Sequence, residues 1–343
     1  MKAMPIGRSA QRLGGGRVRI AVSCAVAAVL LAGCSVFGGS SASGSAPAGS
    51  TITVAAVPGV GDAPLYVAWQ QGLFRQHGLT VHLHSYQTMS QVIDALHSGQ
   101  ASVAVGDYAD FFYEQQNDKN APMVVLADGY DAAPNIMDVL VRPDSPITAP
   151  LGLKDARIGT AEPQVIPDNV NAPFSTETVA ASSALDNDGV QPNQVTWVPM
   201  PAKNLVPALR SHQVDAILVT EPQIFQAESQ IGARTILDAC SGQTVNLPLD
   251  GYFASKSFAA KNLAALQAFQ SAMTRAQADA VQPAPLQAVL RHYAGMSRQT
   301  AALITVGQYP TALKVTSLQR VADLMSFYGA LDRPLVVSHM LLP

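Results

Sequence analysis

The chain predicts an α/β fold of two lobes, each a mostly parallel sheet flanked by helices, joined by two hinge crossings. Three observations carry this. Strand-like and helix-like segments alternate from Thr51 onward, the pattern of a parallel sheet covered on both faces. The alternation pauses at a proline-rich stretch, 143–150, and then restarts, as a second lobe would. Another extended segment, 245–255, precedes a long helical tail, so the chain builds one lobe, then a second, then returns to decorate the first.

Taken in order, residues 51–57 alternate and are rich in β-branched side chains, which predicts a strand; Pro58-Gly59-Val60-Gly61-Asp62 breaks it. Pro64 then opens a helix running through Leu65, Ala68, Trp69 and Leu73. A second strand is expected over 79–85, after which Ser90 would cap a helix holding Val92, Ile93 and Leu96 that Gly99 stops. Residues 102–105 read as a third strand, ending at Gly106-Asp107-Tyr108 and feeding a helix through Phe111, Phe112 and Gln115. Strands follow at 123–127 and 137–141 around a loop at 128–135.

The restart gives strand 157–160, helix 175–186, strand 195–198, helix 204–211, strand 215–219, helix 221–231 and strand 234–237. Beyond residue 257 the pattern is helical to Tyr328. The first lobe is therefore expected over 51–142 and 252–343 and the second over 143–251, with hinges near 140–144 and 245–251.

The first 33 residues stand outside this scheme. Lys2, Arg8, Arg12, Arg17 and Arg19 precede an uncharged apolar stretch, 20–31, that ends in Leu31-Ala32-Gly33-Cys34, the order of a secretory signal peptide. That stretch is too short for the roughly 20 residues a permanent membrane span needs. Leu-Ala-Gly-Cys resembles the lipobox of bacterial lipoproteins. The resemblance implies removal of 1–33, a diacylglycerol on Cys34, and a lipid-anchored protein on the extracytoplasmic face of the cell membrane. Residues 34–50, almost wholly Gly, Ser and Ala from Gly38 on, read as a flexible tether. Cys24 leaves with the signal and Cys34 is modified, so Cys240 stands alone and no intramolecular disulfide is expected.

Hydrophobic residues make up 48% of the chain, charged residues 13%, and the net charge is -3. No apolar run of transmembrane length follows Ser50. No basic stripe is present to suggest a nucleic-acid partner.

Gly72-Leu73-Phe74, His77-Gly78-Leu79-Thr80-Val81 and the run Ala95 to Ala104 together resemble the N-terminal lobe of ABC-transporter solute-binding proteins. The resemblance is to the nitrate, sulfonate, taurine and thiamine-pyrimidine group, the NMT1-like proteins of the type 2 periplasmic-binding-protein fold. Lys154-Asp155-Ala156-Arg157-Ile158-Gly159 is similar to that group's opening strand of the second lobe, and Asp215 to Pro222 to a later strand-to-helix turn. The likeness covers nearly all of 51–328. It implies a monomeric receptor without a cofactor that closes its lobes on a small-molecule ligand and docks on an ABC permease.

In open α/β sheets, ligands collect beyond the carboxyl ends of the strands. Those ends are expected at 59–62, 87–90, 106–108, 128–130, 160–162, 174–176, 220–222 and near Tyr252. Asp62, Asp107, Glu221 and Asp128 stand there; Asp62 and Asp107 read equally as caps of the helices that follow, Glu221 as a favourable first-turn acid, and Asp128 as a turn residue. Tyr66, Tyr108, Tyr130, Phe174 and Tyr252 could give flat apolar walls. Thr88 with Ser90, and Ser175 with Thr176, could present hydroxyls to an anionic oxygen or simply cap helices. Acids beside aromatic walls lean toward an aminopyrimidine, a thiamine-precursor-like ring or another amine-bearing heterocycle, with sulfonate, taurine or nitrate as the alternative.

No nucleophile elbow, phosphate loop or His-Glu-x-x-His motif occurs. His82 and His84 share a strand face without a third ligand, so no metal site is expected. An enzyme on the same scaffold, such as a pyrimidine-synthesis or dehydratase-like protein with Asp107 or Glu221 as base, and a receptor-coupled sensor are the competing classes.

Overall fold

The computed structural model describes residues 49–117, 122–161 and 175–342. The signal peptide, the tether through Ala48 with Cys34, and Phe174 lie outside the described residues.

Alternating β-branched residues make β1 (Ser50–Ala56), which buries Ile52 and Val54 and lies between β2 (Leu79–Ser85) and β3 (Val103–Asp107), parallel to both. β4 (Met123–Asp131) runs four residues beyond the expected strand, absorbing Asp128 and Tyr130. β5 (Met137–Val141) is buried along its whole length. It is followed by β6 (Arg157–Ala161), β7 (Thr196–Met200), β8 (Ala216–Thr220), β9 (Arg234–Asp238) and β10 (Pro248–Ser255). The first sheet has the order β2-β1-β3-β10-β4 and the second β7-β6-β8-β5-β9.

Each sheet carries one reversed strand in its fourth position: β10 is antiparallel to β3 and β4, and β5 is antiparallel to β8 and β9. In both cases it is the strand that has just arrived from the other sheet. This moves the lobe boundaries expected from sequence. Met137–Val141, expected in the first lobe, pairs entirely within the second sheet, and 248–251, expected in the second lobe, pair within the first. The proline-rich stretch is a connection inside the second lobe, between β5 and β6. The crossings are 132–136 and 239–247. Each holds one asparagine in the left-handed conformation, Asn135 at φ 62° and Asn246 at φ 52°, a region Asn tolerates better than most residues.

Twelve helices complete the described chain: α1 (Ala63–Gln70), α2 (Leu73–Gln76), α3 (Met89–His97), α4 (Tyr108–Asn117), α5 (Thr176–Asn187), α6 (Ala202–Arg210), α7 (Gln223–Ile231), α8 (Lys256–Lys261), α9 (Leu263–Ala280), α10 (Pro283–Tyr293), α11 (Arg298–Leu303) and α12 (Val315–Phe327). α9 buries its Ala-rich face against α1 and the first sheet, stacking Phe269 on Phe74 at 5.3 Å. Phe111 of α4 stacks on Phe253 of β10 at 3.9 Å. These contacts tie the returning tail and the reversed strand to the first lobe, fixing where the start of β10 points.

Candidate functional site

A reversed strand presents its beginning where its neighbours present their ends. The carboxyl ends of β1, β3, β6 and β8 and the first residues of β5 and β10 therefore converge on one cleft, a cavity of about 520 Å³ between the two sheets. That volume suits a small organic molecule. Six carboxylic acids line it: Asp62, Asp107, Asp110, Glu177, Glu221 and Asp250. Among the described residues the wall contains no Lys, Arg or His.

Asp62 sits at the start of α1 but makes no capping hydrogen bond; the residue is 5% exposed and its carboxyl has no hydrogen-bond partner among the described residues. Burial raises its pKa to about 7. Asp250 stands directly opposite Asp107 in the β3–β10 register, a placement in which like charges repel. Burial, and after it the charge of Asp62, pushes Asp250 well above the usual carboxylate range. Gly61 leaves room for it, because a Cβ there would overlap Asp250 Oδ2 and displace the carboxyl.

Asp107 is the most engaged of the six. Its Oδ1 accepts from Ala109 N at 2.6 Å and from Thr176 Oγ1 at 2.6 Å, and its Oδ2 accepts from Thr176 N at 3.1 Å. It thus caps α4 and also bridges to the N-terminus of α5 in the other lobe, where orphan helix N–H groups favour an anion. Burial raises its pKa while these donors oppose the rise. Glu221 makes a second bridge: Oε2 accepts from Phe225 N at 3.1 Å within α7, and Oε1 accepts from Thr305 N at 3.2 Å in the tail of the first lobe. Burial raises Glu221 as well, against the pull of those two N–H groups.

Asp110 and Glu177 flank the Asp107 bridge. Ala109 N donates to Thr176 Oγ1 at 3.2 Å, and each acid is the next residue along its chain. Asp110 is 8% exposed, with no hydrogen bond to its carboxyl among the described residues, and is raised well above its usual value by burial, then by Asp107 and Glu177. Glu177 is raised to about 7, again by burial first and Asp107 second.

Of the residues expected from sequence, Asp62, Asp107, Tyr130, Ser175, Thr176 and Glu221 line the cavity. Ser175 caps α5 by accepting from Thr178 N at 3.2 Å. Tyr66, Tyr108, Tyr252, Thr88 and Ser90 do not line it. Tyr66 stacks on Tyr293 at 4.1 Å, and Tyr252 is fully buried against Phe269. Tyr108 donates its buried hydroxyl to Asp128 Oδ1 at 2.9 Å, making both structural. Thr88, rather than Ser90, is the N-cap of α3; both are exposed, and Met89 between them reaches the wall. Three wall acids escaped the sequence reading. Asp250 could be found only by knowing that β10 is reversed, whereas Asp110 and Glu177 lie in first helical turns after expected strand ends, within reach of a wider search.

Solved structures share the fold. The alkanesulfonate-binding protein SsuA of Xanthomonas axonopodis pv. citri, bound to MOPS, superposes with a TM-score of 0.68 at 16% identity, covering 86% of this chain and 99% of its own. The periplasmic nitrate-binding protein NrtA of Synechocystis PCC 6803 gives 0.65 at 14% identity over 84% and 83%. The desulfurization enzyme DSZB gives 0.65 at 17% over 86% and 96%. No curated protein sequence matches the chain. A family model described as NMT1/THI5 like matches residues 61–285; that span takes in the whole second sheet, every strand of the first except β1, and both crossings, and the chain belongs to the NMT1/THI5-like family.

Proposed function

We propose that this chain is the solute-binding component of an ABC importer, a monomer held at the extracytoplasmic face by lipid on Cys34, which captures a small solute bearing positive charge or N–H donors between its lobes. The observation that carries the reading is the wall of the cavity: six carboxylic acids and, among the described residues, no cationic side chain. A sulfonate or nitrate would find no cationic side chain here and would oppose ionisation of the acids, whereas an ammonium or aminopyrimidine nitrogen would be stabilised by their ionised form. Shared fold leaves ligand choice open, because function resides in the site.

An aminopyrimidine or other amine-bearing heterocycle satisfies the charge pattern. Tyr130 is the one aromatic side chain of the wall among the described residues, so selection rests on the carboxyls more than on ring stacking. Binding would act by favouring closure: the ligand bridges the lobes, the closed form gains its differential affinity, and the closed form docks on the permease. An enzymatic reading is less well supported. Asp107 and Glu221, the acids best placed as bases, already accept three and two hydrogen bonds.

A thermal-shift panel of aminopyrimidines, alkylamines, alkanesulfonates and nitrate tests the reading. Stabilisation by the amine-bearing compounds is expected, and stabilisation by sulfonate or nitrate alone would overturn it. Replacing Cys34 by serine should move the expressed protein from the membrane fraction to the soluble extracytoplasmic fraction; retention at the membrane would refute the anchor.

A further inference from the structure

Resting on the cationic reading of the cavity, we infer that the solute carries two amino groups, one held by Asp62 and Asp250 and the other bridging Asp110 and Glu177 across the cleft. The wall divides into three kinds of acid. Asp107 and Glu221 have donors of their own and bridge the lobes directly. Asp62 and Asp250 belong to the first lobe, at the start of α1 and the start of β10, with Gly61 packed against Asp250 Oδ2. Asp110 belongs to α4 of the first lobe and Glu177 to α5 of the second.

Two features make these four acids a binding surface rather than a tolerated cluster. Asp62 and Asp110 are each more than nine-tenths buried, line the cavity, and have no hydrogen-bond partner among the described residues. A buried carboxyl without a partner costs free energy that a ligand donor recovers. The acids also do not converge on one point: among the described residues no three His, Cys, Asp or Glu side chains are placed to share a metal ion. A single compact cation therefore satisfies one pair and leaves the other unpaired, and a molecule with two separated nitrogens satisfies both.

The second pair has a consequence for motion. Asp110 follows Ala109 and Glu177 follows Thr176, two residues hydrogen-bonded across the cleft beside the Asp107–Thr176 bridge, so the two acids come together when that contact closes. Two carboxyls brought together across a cleft resist ionising together, and an ammonium between them stabilises both ionised forms and so favours the closed arrangement. The second amino group thereby couples occupancy to closure.

Calorimetry of the purified full chain at neutral pH, with n-butylamine, 1,3-diaminopropane, 1,4-diaminobutane, 1,6-diaminohexane and butanesulfonate as probes, tests this. At least one diamine should bind roughly tenfold to a hundredfold more tightly than butylamine, the range for one added charge-assisted contact. Asp110→Asn and Glu177→Gln should each shrink that diamine-to-monoamine ratio to below about fivefold. Equal affinity for butylamine and every diamine would overturn the two-nitrogen inference and leave the cationic reading standing. Binding of butanesulfonate with neither class of amine would overturn both. The wild-type ratio decides the matter even where a variant folds poorly.

Discussion

Replacing Asp62 by asparagine isolates the energetic cost of the acidic wall. In the unfolded chain this carboxyl ionises near 3.8, and in the folded protein burial holds its proton to about 7. Below about pH 4 both states are protonated and the native state keeps its full stability. Between those two values the unfolded chain gains a charge that the native state cannot, so stability falls as pH rises; above about 7 the loss is complete. Roughly three pH units at about 1.4 kcal/mol each give a loss on the order of 4 kcal/mol. Asparagine fills the same volume and does not titrate. Urea unfolding of the ligand-free proteins, followed by far-ultraviolet circular dichroism from about pH 4 to about pH 8, should show Asp62→Asn gaining on the wild type by that amount across the window. A difference that stays flat with pH would mean that Asp62 is solvated in the folded protein, and the argument from an unpaired buried acid would fail.

Asp107→Ala removes both bonds to Thr176 across the cleft along with the cap on α4. With charge-assisted bonds contributing about 1.5–3 kcal/mol each, ligand affinity should drop at least tenfold and the radius of gyration from small-angle scattering should rise; unchanged values for both would show that the bridge does not hold the lobes together. Gly61→Ala places a Cβ on Asp250 Oδ2 and 3.4 Å from the Cβ of Tyr130. Displacing that carboxylate should weaken amine binding by about tenfold, in line with the roughly 1–3 kcal/mol typical of overpacking, and wild-type affinity in calorimetry would argue that Asp250 plays no part in binding.

The sequence made the scaffold legible because its signals are local. β-branched alternation at 51–57, the helix expected from Ser90 to Gly99 and the Asp215-to-Pro222 turn each carry their own start and stop, and the structure places elements within a few residues of all three. Sheet membership is not local. Nothing between Met137 and Val141 says whether this buried strand pairs with β4 before it or with β8 and β9 after it; that follows from which lobe still lacks a fourth strand. The same fact hid Asp250, whose position in the cleft depends on β10 running backwards. The tyrosines misled for a complementary reason. An aromatic at a strand end can face the cleft or the core, and Tyr108 and Tyr252 go fully into the core because Phe112, Phe253 and Phe269 are there to pack against them.

The sign of proton linkage tests the central claim, an acidic cavity that holds a cationic solute, most directly. With Asp62 and Glu177 each raised to about 7, and Asp110 and Asp250 raised well above the usual carboxylate range by burial, the cavity holds protons at neutral pH that a bound ammonium displaces and a bound sulfonate recruits. Calorimetric titration at pH 7 in two buffers of different ionisation enthalpy reads this directly for whichever amine or sulfonate probe binds. A net release of about one proton or more on amine binding is predicted. Proton uptake on binding of a sulfonate or nitrate, with no response to amines, would contradict it.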